Sequence, residues 1–244
     1  MDKVMFFSES IPEIGLKARK SIEGSEYKLV ENFVEFKVTK FERMKNRKIN
    51  LAIFSEPLIE TGFPDIVIAE YDPNTFEKWS SNRSKLGLAD LKVLNHIIYI
   101  GETQGLEIQQ QLGIESKLLL TVIEKLLDAG LIIRQANKWK AKRLKDIYGI
   151  KRLVAIEAKM SNWGGVFGQA QLNKWFASES YTLSPVAQPT DKIVKRSEEL
   201  GVGIYVSNSK GIKKIRTSPV TPLPACYGSL LFNEWIGRRL NKSN

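Results

Sequence analysis

The chain has 244 residues, 43% hydrophobic and 26% charged, enough apolar content for one large or two small packed domains. One cysteine, Cys226, excludes an internal disulfide and a cysteine-based zinc site. One histidine, His96, lies among Leu94, Ile97 and Ile98 and reads as a packing or surface residue, so any chemistry falls to carboxylates, lysines, amides and hydroxyls.

Lys and Arg number 37 against 27 Asp and Glu, a net charge of +10 that favours a polyanionic partner. No segment approaches the roughly 20 apolar residues that span a bilayer, so no membrane partner is expected. The opening residues carry an early acid and a short apolar run and do not read as a signal peptide. An intracellular, cytoplasmic protein follows, nucleoid-associated in a bacterium.

Along the chain, a helix is expected over residues 14–22. Phe33-Val34-Glu35-Phe36-Lys37-Val38-Thr39 alternates apolar and polar, which predicts a strand, and residues 49–54 predict another. Gly62-Phe63-Pro64 breaks the chain before a β-branched run over 65–71, a central strand. Residues 84–143 read as a separate unit. Leu86, Leu91, Leu94 and Ile98 recur at helical spacing, a short helix covers 107–112, and Ser116 can cap a third helix bearing Leu119, Leu120, Ile123, Leu126 and Leu127. A hairpin over 131–140 follows. Strand returns at 152–159, helix at 166–180, a hairpin at 202–216 and a last helix at 230–240.

Two segments carry the chemistry. Pro64-Asp65 opens one β-branched strand, and Glu157-Ala158-Lys159 closes another. Side chains alternate along a strand, so Glu157 and Lys159 share a face, and a paired neighbour can bring Asp65 to it. Two carboxylates and the Ala158 carbonyl suit Mg²⁺ or Mn²⁺. Such an ion would activate a water, and Lys159 would hold that water or neutralise charge developing on the phosphate.

Pro64-Asp65 and Glu157-Ala158-Lys159 resemble the PD-(D/E)xK nuclease superfamily over residues 30–75 and 150–217. The resemblance implies an α/β fold: a restriction-endonuclease-like core with a central mixed sheet flanked by helices. It implies metal-dependent phosphodiester hydrolysis by Asp65, Glu157 and Lys159. It further implies a helix after the lysine strand with an amide, Gln169, facing the site. Asn173 shares that helical face and is assigned to nucleic acid, followed by Ala177, Ser180 and Tyr181. Relatives place an additional acid upstream, here Glu56, or Glu60 second.

The Asp65-to-Glu157 interval exceeds the family's usual spacing, and residues 84–143 fill it as an inserted α+β domain. Three helices and a hairpin there resemble a winged helix-turn-helix, with residues 123–132 similar to a recognition helix entering its first wing strand. The domain expectation is therefore 1–83 and 144–244 for the core, with 84–143 inserted. Helix 116–129 is nearly neutral. The basic run Arg134, Lys138, Lys140, Lys142, Arg143, Lys145, Lys151 and Arg152, with Asp146 its only acid, is the better phosphate-contact candidate.

The expected function is a DNA endonuclease acting on duplex, in restriction or defence. The alternatives are a non-catalytic DNA-binding regulator on a nuclease-like scaffold, and an RNA or branched-DNA nuclease. Cutting both strands from one site per chain calls for a homodimer.

Overall fold

The computed structural model describes residues 3–44, 48–161, 163–186 and 188–242. In chain order its elements are β1 (Val4–Phe7), α1 (Ser25–Glu42), β2 (Asn50–Ser55), β3 (Ile66–Tyr71), α2 (Asn74–Glu77), α3 (Leu88–Ile100), β4 (Glu102–Thr103), α4 (Gly105–Leu112), α5 (Ser116–Asp128), β5 (Ile132–Gln135), β6 (Lys138–Ala141) and α6 (Leu144–Ile147). There follow β7 (Ile150–Ala158), α7 (Trp163–Asn173), β8 (Glu179–Ser184), α8 (Asp191–Leu200), β9 (Gly203–Asn208), β10 (Gly211–Arg216) and α9 (Tyr227–Lys242). The chain divides into two compact units. Unit 1 takes the residues up to Tyr71 with Ile150–Ala225, and unit 2 takes Asp72–Gly149 with the residues from Cys226 onward. These limits lie outside the 84–143 expected from sequence, because Arg83, Ile147 and Gly149 bond to α9 or to each other rather than to the sheet.

Unit 1 is α/β, a seven-stranded mixed sheet flanked by helices. Its order is β1-β2-β3-β7-β8-β9-β10. The β2–β3, β3–β7 and β9–β10 pairs are antiparallel, and β1–β2, β7–β8 and β8–β9 are parallel. Alternation sends Ile66, Ile68, Val154, Ile156, Tyr181 and Tyr205 to the face covered by α1. Ile204 and Val206 go to the other face, against Phe167 and Ala170 of α7.

Three sequence expectations are corrected in unit 1. Residues 33–39 lie in helix α1, not in a strand. Leu29, Phe33, Lys37 and Phe41 recur every four residues, with Val30, Val34 and Val38 beside them, and this longer period prevails over the local alternation. Residues 14–22 form no α-helix; Ile14 ends a single 3-10 turn, Pro12–Ile14. Pro12 and a left-handed Gly15 (φ +75°) turn the chain there, and Ile14 and Leu16 are buried on either side of that turn. The helix expected over 166–180 ends at Asn173, and Ser180 and Tyr181 belong to β8. That strand, Glu-Ser-Tyr-Thr-Leu-Ser, is wholly buried although four of its six residues are polar or charged. Its polar groups are satisfied internally: Ser180 Oγ donates to Ala170 O at 2.7 Å, and Glu179 accepts from Arg152.

In unit 2, α3 packs on α5 and on α9, and β4-β6-β5 form a small antiparallel sheet. Leu91, Leu94, Ile97, Ile108, Leu119, Val122 and Leu126 are buried. Arg83 is buried against Glu234, its guanidinium lies 3.5 Å from the Trp79 ring centre, and it donates to Ile147 O at 3.0 Å. Asn233 accepts from Gly149 N at 2.8 Å. Ser116 begins α5 rather than capping it: the cap position is Glu115, and Ser116 Oγ donates to Gln109. No described helix is long and apolar enough to cross a membrane.

Candidate active site

The site is built at one end of the β3–β7 ladder. Pairing of Ile66 with Ile156 carries the chain just before β3 to the end of β7, and there Asp65 Oδ2 accepts from Ala158 N at 2.7 Å. Within one residue of an extended strand the N–H and C=O point to the same neighbour. The Ala158 carbonyl therefore faces the β3 side, where Asp65 stands, while Lys159 N turns the other way and donates to Leu183 O at 3.0 Å.

Glu157 is 3% exposed, on the face opposite α1. Its Oε1 accepts from Asn173 Nδ2 at 2.6 Å. Burial pushes the Glu157 carboxyl up to about 8. Asp65 pushes in the same direction, against the Asn173 amide, Lys159 and Arg19. Burial raises Asp65 to about 6, opposed by the Ala158 N–H and Lys159 and supported by Glu26 and Glu56. Ionised Asp65 thus opposes ionisation of the desolvated Glu157 on the neighbouring strand. Lys159 Nζ donates to Glu26 Oε1 at 2.8 Å. Burial draws the ammonium down, but Glu26, Asp65 and Glu157 together hold it above the ordinary lysine value.

The remaining expected residues divide. Glu56 follows β2 with a left-handed backbone (φ +45°). Its N–H donates to Asp65 O at 3.1 Å, and its carboxylate is bound by Arg19. Glu60 is exposed. Gln169 is exposed on α7. Asn173, expected at the nucleic-acid surface, is instead 3% exposed: it ends α7, and its amide is taken by the buried Glu157 carboxylate. Glu26 and Arg19 were not singled out. Glu26 lies in the first turn of α1, a helix that the apolar–polar alternation over 33–39 obscures in the sequence.

Of the basic run, Arg134, Lys138, Lys142 and Arg143 are exposed in unit 2, with Arg143 on Asp146 at 2.7 Å. Lys140 pairs with Glu102 at 2.8 Å, and the Arg134 guanidinium lies 5.6 Å from the Trp139 ring centre. Arg152 belongs to unit 1 and is held by Glu179 and Glu70.

Among the described residues, no group of three or more His, Cys, Asp or Glu is arranged to hold a metal ion. The donor set at this site is two carboxylates and a backbone carbonyl. That set fits Mg²⁺, which usually keeps several waters and takes one or two carboxylates from protein. The upward shift of both carboxyls, caused chiefly by burial, is the second indication of fit, since a divalent cation stabilises desolvated carboxylates in their ionised form. No protein-family model matches the chain, and neither a curated protein nor a solved structure matches it.

Proposed function

We propose that the chain is a metal-dependent endonuclease hydrolysing phosphodiester bonds in double-stranded DNA. In this proposal unit 1 is a PD-(D/E)xK-type core and unit 2 a winged-helix domain that recognises the target, in restriction or another defence against foreign DNA. The observation that carries it is the meeting of Asp65 and the end of β7, from distant parts of the chain, with Lys159 in the same charge cluster.

Asp65, Glu157 and the Ala158 carbonyl would hold Mg²⁺ or Mn²⁺. When bound, the ion supplies a water of lowered pKa and positive charge for the attacked phosphate. Asn173 fixes the Glu157 carboxylate in one orientation. Lys159, held protonated by its acidic neighbours, acts as a donor rather than a base. It orients the attacking water and neutralises charge that develops on the phosphate oxygens. Glu26 holds the ammonium until substrate phosphate competes for it. Gln169, exposed one turn before Asn173, is the amide available to substrate. The exposed cations of β5, β6 and the segment after them supply contacts to the phosphate backbone, and two copies of the chain would cut both strands.

The test is cleavage of supercoiled plasmid with Mg²⁺ or Mn²⁺ by the wild type, Asp65→Ala and Lys159→Ala. Each variant is expected to lose about 10²-fold or more in rate. Equal cleavage by all three removes the assignment.

A further inference from the structure

Unit 1 holds a second concentration of charge, on the sheet face covered by α1 and at the other end of the same two strands. Glu70 pairs in register with Arg152, five residues along β3 from Asp65, or about 17 Å at the usual rise per residue. A cavity of about 150 Å³ opens here, lined by Lys37, Lys40, Glu70, Arg152, Tyr205 and Lys214 among others. Arg152 is bound by Glu179 and, at 3.2 Å, by Glu70. Lys37 Nζ donates to the Tyr205 hydroxyl at 3.0 Å. Its ammonium lies 5.2 Å and 4.8 Å from the ring centres of Phe33 and Tyr205. Lys214 lies over Tyr181 and Tyr205.

We infer that this cavity binds a phosphate dianion, either free or as the terminal phosphomonoester of a nucleotide. Lys37, Lys40, Arg152 and Lys214 face two carboxylates, Glu70 in the lining and Glu179 behind Arg152, and with Lys37 half-protonated near neutral pH the surplus is between one and two positive charges. Both carboxylates are taken by Arg152. Among the described residues, no carboxylate forms a salt bridge with Lys37, Lys40 or Lys214. An ammonium has three donors, and Lys37 uses one of them within the protein. The Tyr205 hydroxyl accepts from Lys37 and keeps its own proton to donate. The donors left over are those an oxyanion consumes. Burial, with Arg152, Lys214 and Lys40 beside it, draws Lys37 down to about 7, against the pull of Glu70, and an anion would relieve that strain. The volume is well below the roughly 300–1,000 Å³ of pockets for drug-sized ligands, so it takes a phosphoryl group and leaves any nucleoside outside.

The site stands independently of the nuclease proposal. The test is calorimetric titration of the full chain, without divalent metal and at constant ionic strength, with inorganic phosphate, sulfate, a nucleoside 5′-monophosphate and the matching nucleoside. Phosphate and sulfate are expected to bind saturably at one site. Lys37→Met and the exposed Lys214→Gln should each weaken binding about tenfold, the effect of one lost charge-assisted bond. Asp65→Ala, at the far end of the ladder, should bind as the wild type does. A silent nucleoside beside a tight monophosphate identifies a terminal phosphomonoester, whereas binding of inorganic phosphate and sulfate alone identifies the free ion. Absence of saturable heat, binding undiminished in both lysine variants, or loss of binding in Asp65→Ala overturns the inference.

Discussion

Asp65 and Glu157 are costly residues to keep as anions. Both are pulled out of water, and ionised Asp65 makes the ionisation of Glu157 harder. At the proposed metal site, protons and metal would compete for the same oxygens. Metal takes the ionised form, so affinity is low while the carboxyls hold protons. It climbs as pH passes the shifted values, about 6 for Asp65 and about 8 for Glu157. Mn²⁺ affinity should therefore increase between pH 5 and 8, by up to about tenfold per pH unit where Glu157 gives up its proton, and level off above. Calorimetry or electron paramagnetic resonance of Mn²⁺ across this range measures the slope. An affinity constant from pH 6 to 8 would mean that these two carboxyls are not the ligands.

At the scale of elements, β8 shows how a polar segment becomes a central strand. Its partners are supplied from both faces: Arg152 and Tyr181 around Glu179 on one, and the Ala170 carbonyl for Ser180 on the other. Close packing beside it depends on Gly203 of β9. A Cβ there would stand 2.2 Å from the Tyr181 ring and 2.8 Å from the Ser218 backbone nitrogen. Gly203→Ala should destabilise unit 1 by about 1–3 kcal/mol, the usual cost of overpacking, read as a lower denaturant midpoint. An unchanged midpoint would show that the ring moves aside freely.

The same strand marks the limit of legibility in the sequence. Strands built from apolar runs, β2, β3 and β7, were visible, as were the helices and hairpin of unit 2, because hydrophobic period reports burial on one side. The Asp65–Glu157–Ala158–Lys159 grouping was visible because three of those residues are contiguous and the fourth opens a strand of the same texture. β8 was not, since its burial rests on hydrogen bonds rather than apolar side chains. α1 was obscured by a short alternating stretch inside a four-residue repeat. Glu26 and the inward turn of Asn173 are products of tertiary packing, which local pattern does not encode.

For the whole molecule, each unit is discontinuous in sequence. Unit 2 depends on α9 for Glu234, the counter-charge of Arg83, and for Asn233, which caps the Gly149 N–H. A buried guanidinium left without its carboxylate is severely destabilising, by about 3–5 kcal/mol. Truncation after Ala225 should unfold residues 72–149, seen as loss of amide hydrogen-exchange protection in α3 and α5. Full protection in the truncated chain would show that those helices form a core of their own.

This interleaving also sets an order of events during synthesis on the ribosome. The first three strands of the sheet emerge early, but β7, which lies between β3 and β8, follows only after nearly eighty further residues of the other unit. The paired acids therefore cannot meet until β7 follows residues 72–149, and the segment that completes the other unit follows residues 150–225. If the proposed nuclease assignment holds, a nascent chain would be harmless until β7 has joined β3.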